Sequence, residues 1–206
     1  MADDVPMFPL GTVLVPGAYL PLHVFEPRYR ALVEACLEGD GEFGVTLIER
    51  GSEVGGGDRR FATGCMAKIV EAVQLEDGRY ALGTVGVRRI RVLGWLPDAP
   101  YPRAEVEDWP DPGPEPGAAE AVAQVLPVLR RVLALASELG DAVAPATVEL
   151  DEDPLLAGYE MAALAPLGPL DTLSLLAAPS HEARLATLRA LLDEAAAVLA
   201  ARLAEG

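Results

Sequence analysis

The sequence predicts an α+β protein: a β-rich N-terminal unit with one helix, then a C-terminal bundle of α-helices. Three observations predict it. Up to about residue 110 the apolar residues come in short runs or in alternation, punctuated by Pro and Gly, which is strand patterning. Beyond residue 118 Ala and Leu dominate and apolar residues recur at helical spacing. Between them runs PDAPYPRAEVEDWPDPGPEPG, from Pro97 to Gly117, whose proline-rich end at 111–117 reads as a linker. The boundaries that follow are a β-domain over 1–110 and a helical domain over 118–206. With 206 residues, 51% of them hydrophobic, the chain can bury a core.

In the stretch MFPLGTVLVPGAYLPLHVFEPRYR, from Met7 to Arg30, the residues Phe8, Leu10, Val13 and Val15 read as short β-runs. Pro16-Gly17 is a turn, and Leu20, Leu22 and Val24 alternate as a half-buried strand. Pro27 then suits the first turn of a helix, where its missing N–H has no partner to lose, and Glu26 favours the positive end of the helix dipole. Tyr29, Leu32, Val33, Cys36 and Leu37 fall on one helical face, and Gly39 ends the helix at positive φ. Glu26, Arg28 and Arg30 read as cap and helix-surface ion pairs, Arg30 with Glu34.

Strand patterning returns where Phe43, Val45 and Leu47 alternate against Gly44 and Thr46. GSEVGGGDRR at 51–60 is a loop, and its glycines are not a nucleotide cradle, because no GxxxxGK[ST] follows. Phe61 to Leu75 and Arg79 to Leu96 make two long strands joined at Glu76-Asp77-Gly78, a hairpin signal. In the second, Ile90 and Val92 face one way and Arg89 and Arg91 the other, onto a solvated face or one that binds a peptide carboxylate. A short strand around Arg103 to Glu107 completes the unit.

Four helices are expected in the second half. Ala118 to Leu139 carries an apolar stripe that includes Val125, Leu129, Val132 and Ala136, with Pro127 as a kink. Asp153-Pro154, a cap and a first-turn proline, opens a helix to about Ala165. Pro169 to Ala178 is a shorter one. Ser180 caps the last, whose stripe is Leu185, Leu188, Leu192, Ala195 and Leu199.

A formal net charge of −16 argues against an extended phosphate-binding surface, so no nucleic-acid partner is expected. Residues 1–110 hold 11 basic and 17 acidic groups, net −6; residues 111–206 hold 5 and 15, net −10. Two cysteines, Cys36 and Cys65, are too few for a disulfide framework, and Met-Ala-Asp-Asp lacks the features of a signal peptide, so the expected location is cytoplasmic. The most apolar windows are interrupted by Arg130-Arg131 and by Pro166, Pro169 and Asp171, which argues against a membrane span.

His23 and His181 are the two imidazoles, and neither sits in a motif with a nucleophile and an orienting carboxylate. His23 reads as a structural hydrogen-bonder and His181, just after the cap, as exposed. No catalytic residue, metal site or cofactor is expected, since no Cys/His pair has ligand spacing. What remains is a recognition surface. Tyr19, Trp95, Tyr101 and Trp109 sit in or beside turns and the linker, where amphipathic aromatics either receive an apolar segment of a partner or plug the seam between the two domains.

The blocks Phe8-Pro9-Leu10, Val15-Pro16-Gly17, Leu20-Pro21-Leu22-His23 and Phe25-Glu26-Pro27-Arg28-Tyr29-Arg30 resemble the start of the Lon protease N-terminal domain, a substrate-binding module also found as a stand-alone bacterial protein. Gly64, Ala67-Lys68-Ile69, Asp77-Gly78-Arg79 and the run from Gly86 to Val92 follow in the same order, so the resemblance covers about residues 5–109 and continues more weakly into the leucine-rich tail. It implies a PUA-like β pseudo-barrel with one helix and a non-catalytic polypeptide-binding role. The expected partners are unfolded or damaged polypeptides, with a protease or chaperone component. Tyr19, Arg89, Trp95, Tyr101 and Trp109 are the candidate peptide-binding residues. The alternatives are a structural module that forms a homodimer, a hydrolase using His23, and an RNA binder of PUA type; absent motifs weigh against the hydrolase and charge against the RNA binder.

Overall fold

The structure is a computed structural model that describes residues 3–51, 53, 57 and 59–205. Among these the chain forms two compact units, 1–110 and 111–206. The first holds β1 (Asp3–Leu10), β2 (Tyr19–Val24), α1 (Pro27–Glu38), β3 (Glu42–Arg50), β4 (Arg59–Gln74), β5 (Tyr80–Leu96) and β6 (Arg103–Asp108). The second holds α2 (Ala118–Glu138), α3 (Pro154–Leu164), α4 (Pro169–Leu176) and α5 (His181–Glu205).

The six strands run in the order β2-β5-β4-β3-β1-β6, and β6 also pairs with β5, so five strands close into a ring. β1 and β3 are parallel, joined through β2 and α1; the other pairs are antiparallel. β5 closes the ring because it is long enough to serve two partners along one edge. Residues 80–85 pair with β2 and residues 90–96 with β6. Adjacent residues point to opposite faces, and two cores result. Phe8, Val45, Cys65 and Leu82 pack with Tyr29, Leu32 and Val33 of α1, while Met7, Met66, Ile90, Val92, Ala104 and Val106 form the other cluster.

Several sequence expectations change here. Val13 and Val15 lie outside any strand, and the first strand instead runs from Asp3 to Leu10. Val15 is held in coil because its carbonyl lies against Gly86 of β5, where any side chain would overlap it. Gly39 does cap α1, but at φ −103°; the positive φ falls two residues later on Gly41, whose N–H bonds the Cys36 carbonyl. Leu37 is exposed, whereas Tyr29, Leu32, Val33 and Cys36 are buried. β3 is not half-buried: its residues from Phe43 to Leu47 are all buried, because both faces meet a core. Residues 52, 54–56 and 58 of the expected 51–60 loop lie outside the described residues, and Arg59 and Arg60 already belong to β4.

The hairpin at Asp77-Gly78 forms with Gly78 at φ +80°. In the second unit, Asp153 caps α3 by accepting from the Leu155 N–H at 2.8 Å, and the Ser180 hydroxyl accepts from the Ala183 N–H at 3.2 Å. Leu129, Val132, Leu133 and Ala136 of α2 pack with Met161 of α3 and Leu175 of α4. Leu185, Leu188 and Leu192 of α5 complete that single core.

Candidate functional site

Beyond the ring, β2, the first half of β5 and the last third of β4 continue as a three-stranded platform. Register places Tyr19, Val85 and Lys68 in one cross-strand row, Pro21, Gly83 and Glu71 in the next, and His23, Ala81 and Val73 in the third. The opposite face carries Leu22, Tyr80 and Leu82 into the core under α1. The row face is open: Tyr19 is 60% and Val73 47% exposed, and Pro21 and His23 are exposed as well. The Tyr19 ring lies over Gly83, where a side chain would displace it.

Both lateral edges of this platform end the sheet. Among the described residues β2 pairs with β5 alone, and β3 accompanies β4 only as far as Lys68. The Ala18 carbonyl accepts from Gly86 of β5, so alternation turns the backbone groups of Tyr19, Pro21 and His23 to the outer edge of β2. Pro21 therefore removes a donor there, the usual way an edge strand resists uncontrolled pairing. Along the same edge opens a cavity of about 160 Å³, with Phe8, Leu10, Leu22 and Tyr29 inside and His23 and Phe25 at its mouth. Arg28 stands beside it, paired with Glu26 at 3.2 Å and donating to the Glu53 carbonyl at 3.1 Å. Its guanidinium also covers the Tyr29 ring at 4.4 Å.

The five candidate residues are not brought into one site. Tyr19 pairs with Val85 and Trp95 with Ala104, ten positions apart on β5, which at ~3.3 Å per residue is about 30 Å. Trp95 lies under the Arg60 guanidinium at 4.5 Å and packs on the Met7–Ile90 cluster. Tyr101 packs on the α1-side core. Trp109 carries both Arg89, at 4.4 Å, and Arg91, at 4.3 Å. Arg89 is thus not on a solvated face: it is buried, as a cation stacked on an aromatic ring tolerates. Phe25, Val73 and the cavity are not among the candidate residues read from the sequence; the signal available is Phe25 breaking the Leu20, Leu22, Val24 alternation with an apolar residue on the other face.

One of the two histidines, His181, departs from expectation. His23 is exposed on the platform face, whereas His181 is 5% exposed rather than open, because it packs on Gly158 of α3. Burial, and then the Arg184 cation, hold His181 below the usual imidazole range, against the pull of Asp111 and Asp153. Arg30 forms no ion pair with Glu34 among the described residues; its guanidinium lies against Gly78. Both cysteines are buried and unbridged, and burial pushes each thiol up to about 12, so neither is a nucleophile near neutral pH. Among the described residues no three His, Cys, Asp or Glu side chains group as metal ligands, and no helix is long and apolar enough to cross a membrane.

The first unit is thus a closed β-ring carrying an open three-stranded platform, and the second is a helical bundle. The sequence model of the ATP-dependent protease La (LON) substrate-binding domain matches residues 4–194, and the chain belongs to that family. The match extends into the helical unit as far as the middle of α5, beyond the blocks at 5–109 that carry the resemblance in the sequence. Lon protease 2 of Herpetosiphon aurantiacus is 28% identical over 200 residues, covering 95% of this chain and 24% of the relative. Lon protease 2 of Myxococcus xanthus is 32% identical over 105 residues, half of this chain and 13% of the relative. This chain thus spans about a quarter or less of the length of these proteases. The crystal structure of a Lon N-terminal domain protein from Xanthomonas campestris superposes with a TM-score of 0.66 at 30% identity, covering 91% of this chain and 98% of that one. The N-terminal domain of the Mycobacterium avium complex Lon protease shares the fold, with a TM-score of 0.66 at 20% identity.

Proposed function

We propose that this chain binds extended, apolar segments of unfolded or damaged polypeptide without chemistry of its own, as a recognition component in protein quality control beside a protease or chaperone. The observation that carries the reading is the platform of exposed Tyr19, Pro21 and Val73 around half-buried Val85, with its two open edges and adjoining cavity. An extended segment adds to a sheet edge through main-chain hydrogen bonds, which suit many sequences, while a cavity of this size takes one apolar side chain. Membership of a substrate-binding family supports the same reading. Of the candidate residues, Tyr19 is the proposed contact; Arg89, Trp95, Tyr101 and Trp109 are proposed to act through the walls of the ring.

Fluorescence anisotropy with a labelled model protein, denatured or folded, and with single-stranded RNA tests this. Preference for the denatured chain, weakened by Tyr19→Ser and Val73→Asp with circular dichroism unchanged, supports the proposal. Failure to bind all three, with a concentration-independent dimer in sedimentation, overturns it in favour of a dimerising module.

A further inference from the structure

Within the helical unit, an open groove of about 380 Å³ runs along the C-terminal half of α5. Its floor is apolar: Leu191, Ala195, Val198 and Leu199 of α5 face Leu167 from the segment before α4. The α5 positions recur at i, i+4, i+7 and i+8 and form the outer flank of the core stripe: Leu199 is buried, Leu191 and Ala195 pack against the core, and Val198 stands outside it. Val198 is 60% exposed, a large apolar side chain at the open side of a helix with nothing in the chain's own core to meet. The rim has the opposite character. Asp141, Asp171 and Glu194 line it, and its one cation, Arg202, is drawn to Asp141 at 3.5 Å.

We propose that this groove docks a basic amphipathic helix of a partner polypeptide. Apolar anchors at i, i+3 or i+4, and i+7 would lie on the Leu191–Leu199 floor, and Lys or Arg on the flanks would meet Asp171 and Glu194. From Leu191 to Arg202 the floor and rim span about 17 Å at ~1.5 Å per residue, three turns of a helix. Charge selects the occupant. The helical unit carries net −10, so a second copy would bring like charges to the same rim, whereas a cationic segment is attracted from a distance and loses that attraction as salt rises. The groove lies wholly within residues 141–202, so this inference stands whether or not the platform binds polypeptide.

The full-length chain is titrated with a labelled Lys/Leu amphipathic peptide of about 14 residues and with its Glu/Leu counterpart. Anisotropy measures affinity, and amide chemical shifts locate the peptide. Binding of the Lys/Leu peptide alone is expected, with shifts centred on 191–202. Val198→Asp and Glu194→Lys are each expected to weaken it about fivefold to tenfold. Glu105→Lys and Glu120→Lys, equal charge changes on exposed residues outside both the groove and the platform, should leave it within about twofold. Equal weakening by all four variants would reduce the effect to general charge attraction and overturn the proposal. So would shifts outside the groove, no binding up to about 100 μM, or a self-associated chain whose own contact covers residues 191–202.

Discussion

Arg184 of α5 places its Nη2 2.7 Å from Asp111 Oδ1, and these two residues, 73 positions apart, tie the first residue of the helical unit into its core. The guanidinium is fully buried and the carboxylate side chain 10% exposed. Arg184 Nε donates to the Leu175 carbonyl at 3.1 Å, and its cation sits 3.7 Å from the Tyr159 ring centre. The Tyr159 hydroxyl is 2.5 Å from the other Asp111 oxygen. Removing one partner of such a group strands a buried charge, which costs about 3–5 kcal/mol. Arg184→Ala and Asp111→Ala should therefore each lower the urea midpoint of the helical unit sharply. The double variant should cost less than the sum. Additive effects would mean that the two side chains do not interact.

How much of this could be read from residues alone depends on how local the cause is. Asp153-Pro154, Ser180 and Asp77-Gly78 are caps and turns set by a few neighbouring atoms, and all three form at the positions the sequence indicates. The failures are non-local. Asp111 looks like the start of a proline-rich linker until Arg184 arrives from α5. His181 and Arg184 stand on the same stripe as Leu185 and Leu188, yet polar side chains at apolar spacing are ordinarily taken as a stripe's edge; here they are its buried end. β3 alternates in sequence but is buried on both faces, because ring closure adds a second core that no local period announces. The platform was legible only in part: Tyr19 was visible as an aromatic near a turn, whereas its position over Gly83 depends on the β2–β5 register.

His181 makes stability depend on pH. Its folded pKa lies below the ordinary 6.5, so the unfolded chain binds the proton more readily. The stabilisation is therefore fully present above about pH 6.5 and is lost as pH falls below it. Urea midpoints taken between about pH 7.5 and 5.5 should decline on the acid side, and His181→Leu should flatten part of that decline. A His181→Leu profile parallel to the parent would remove His181 as the cause.

Cys36 and Cys65 should be silent to thiol reagents in the folded protein. At pH 8 a thiol at about 12 is thiolate in roughly one molecule in ten thousand, and both sulfurs are buried. Ellman's reagent should register almost nothing until urea is added and then both groups together. Prompt reaction of either one without denaturant would show that the wall over it opens.

Gly86 tests the seat of Val15. A side chain there would overlap the Val15 carbonyl oxygen and press on the Cys65 sulfur at 3.2 Å, so Gly86→Ala should cost about 2 kcal/mol or more. Gly94, on the same strand, has open space where its Cβ would stand, and Gly94→Ala should change stability by about 0.5 kcal/mol at most. Thermal melts of the two variants side by side separate a steric cause from a general intolerance of side chains on β5.

The position of Asp111 also decides where the chain can be divided. We propose that residues 111–206 fold as an independent unit and that residues 118–206, the boundary suggested by composition, form a poorer one. The shorter fragment keeps all four helices and the Leu129–Leu188 core but loses the carboxylate that neutralises Arg184. At fixed helix content the two fragments should differ by about 3 kcal/mol or more in unfolding free energy. Arg184→Met in the shorter fragment should recover part of the difference, because an apolar side chain of similar length no longer needs a counter-charge. Circular dichroism during urea titration of the three species measures this directly. Equal stability of the 111–206 and 118–206 fragments would show that Asp111 is an ornament of the linker, and failure of both to fold would show that the helices depend on the β-unit.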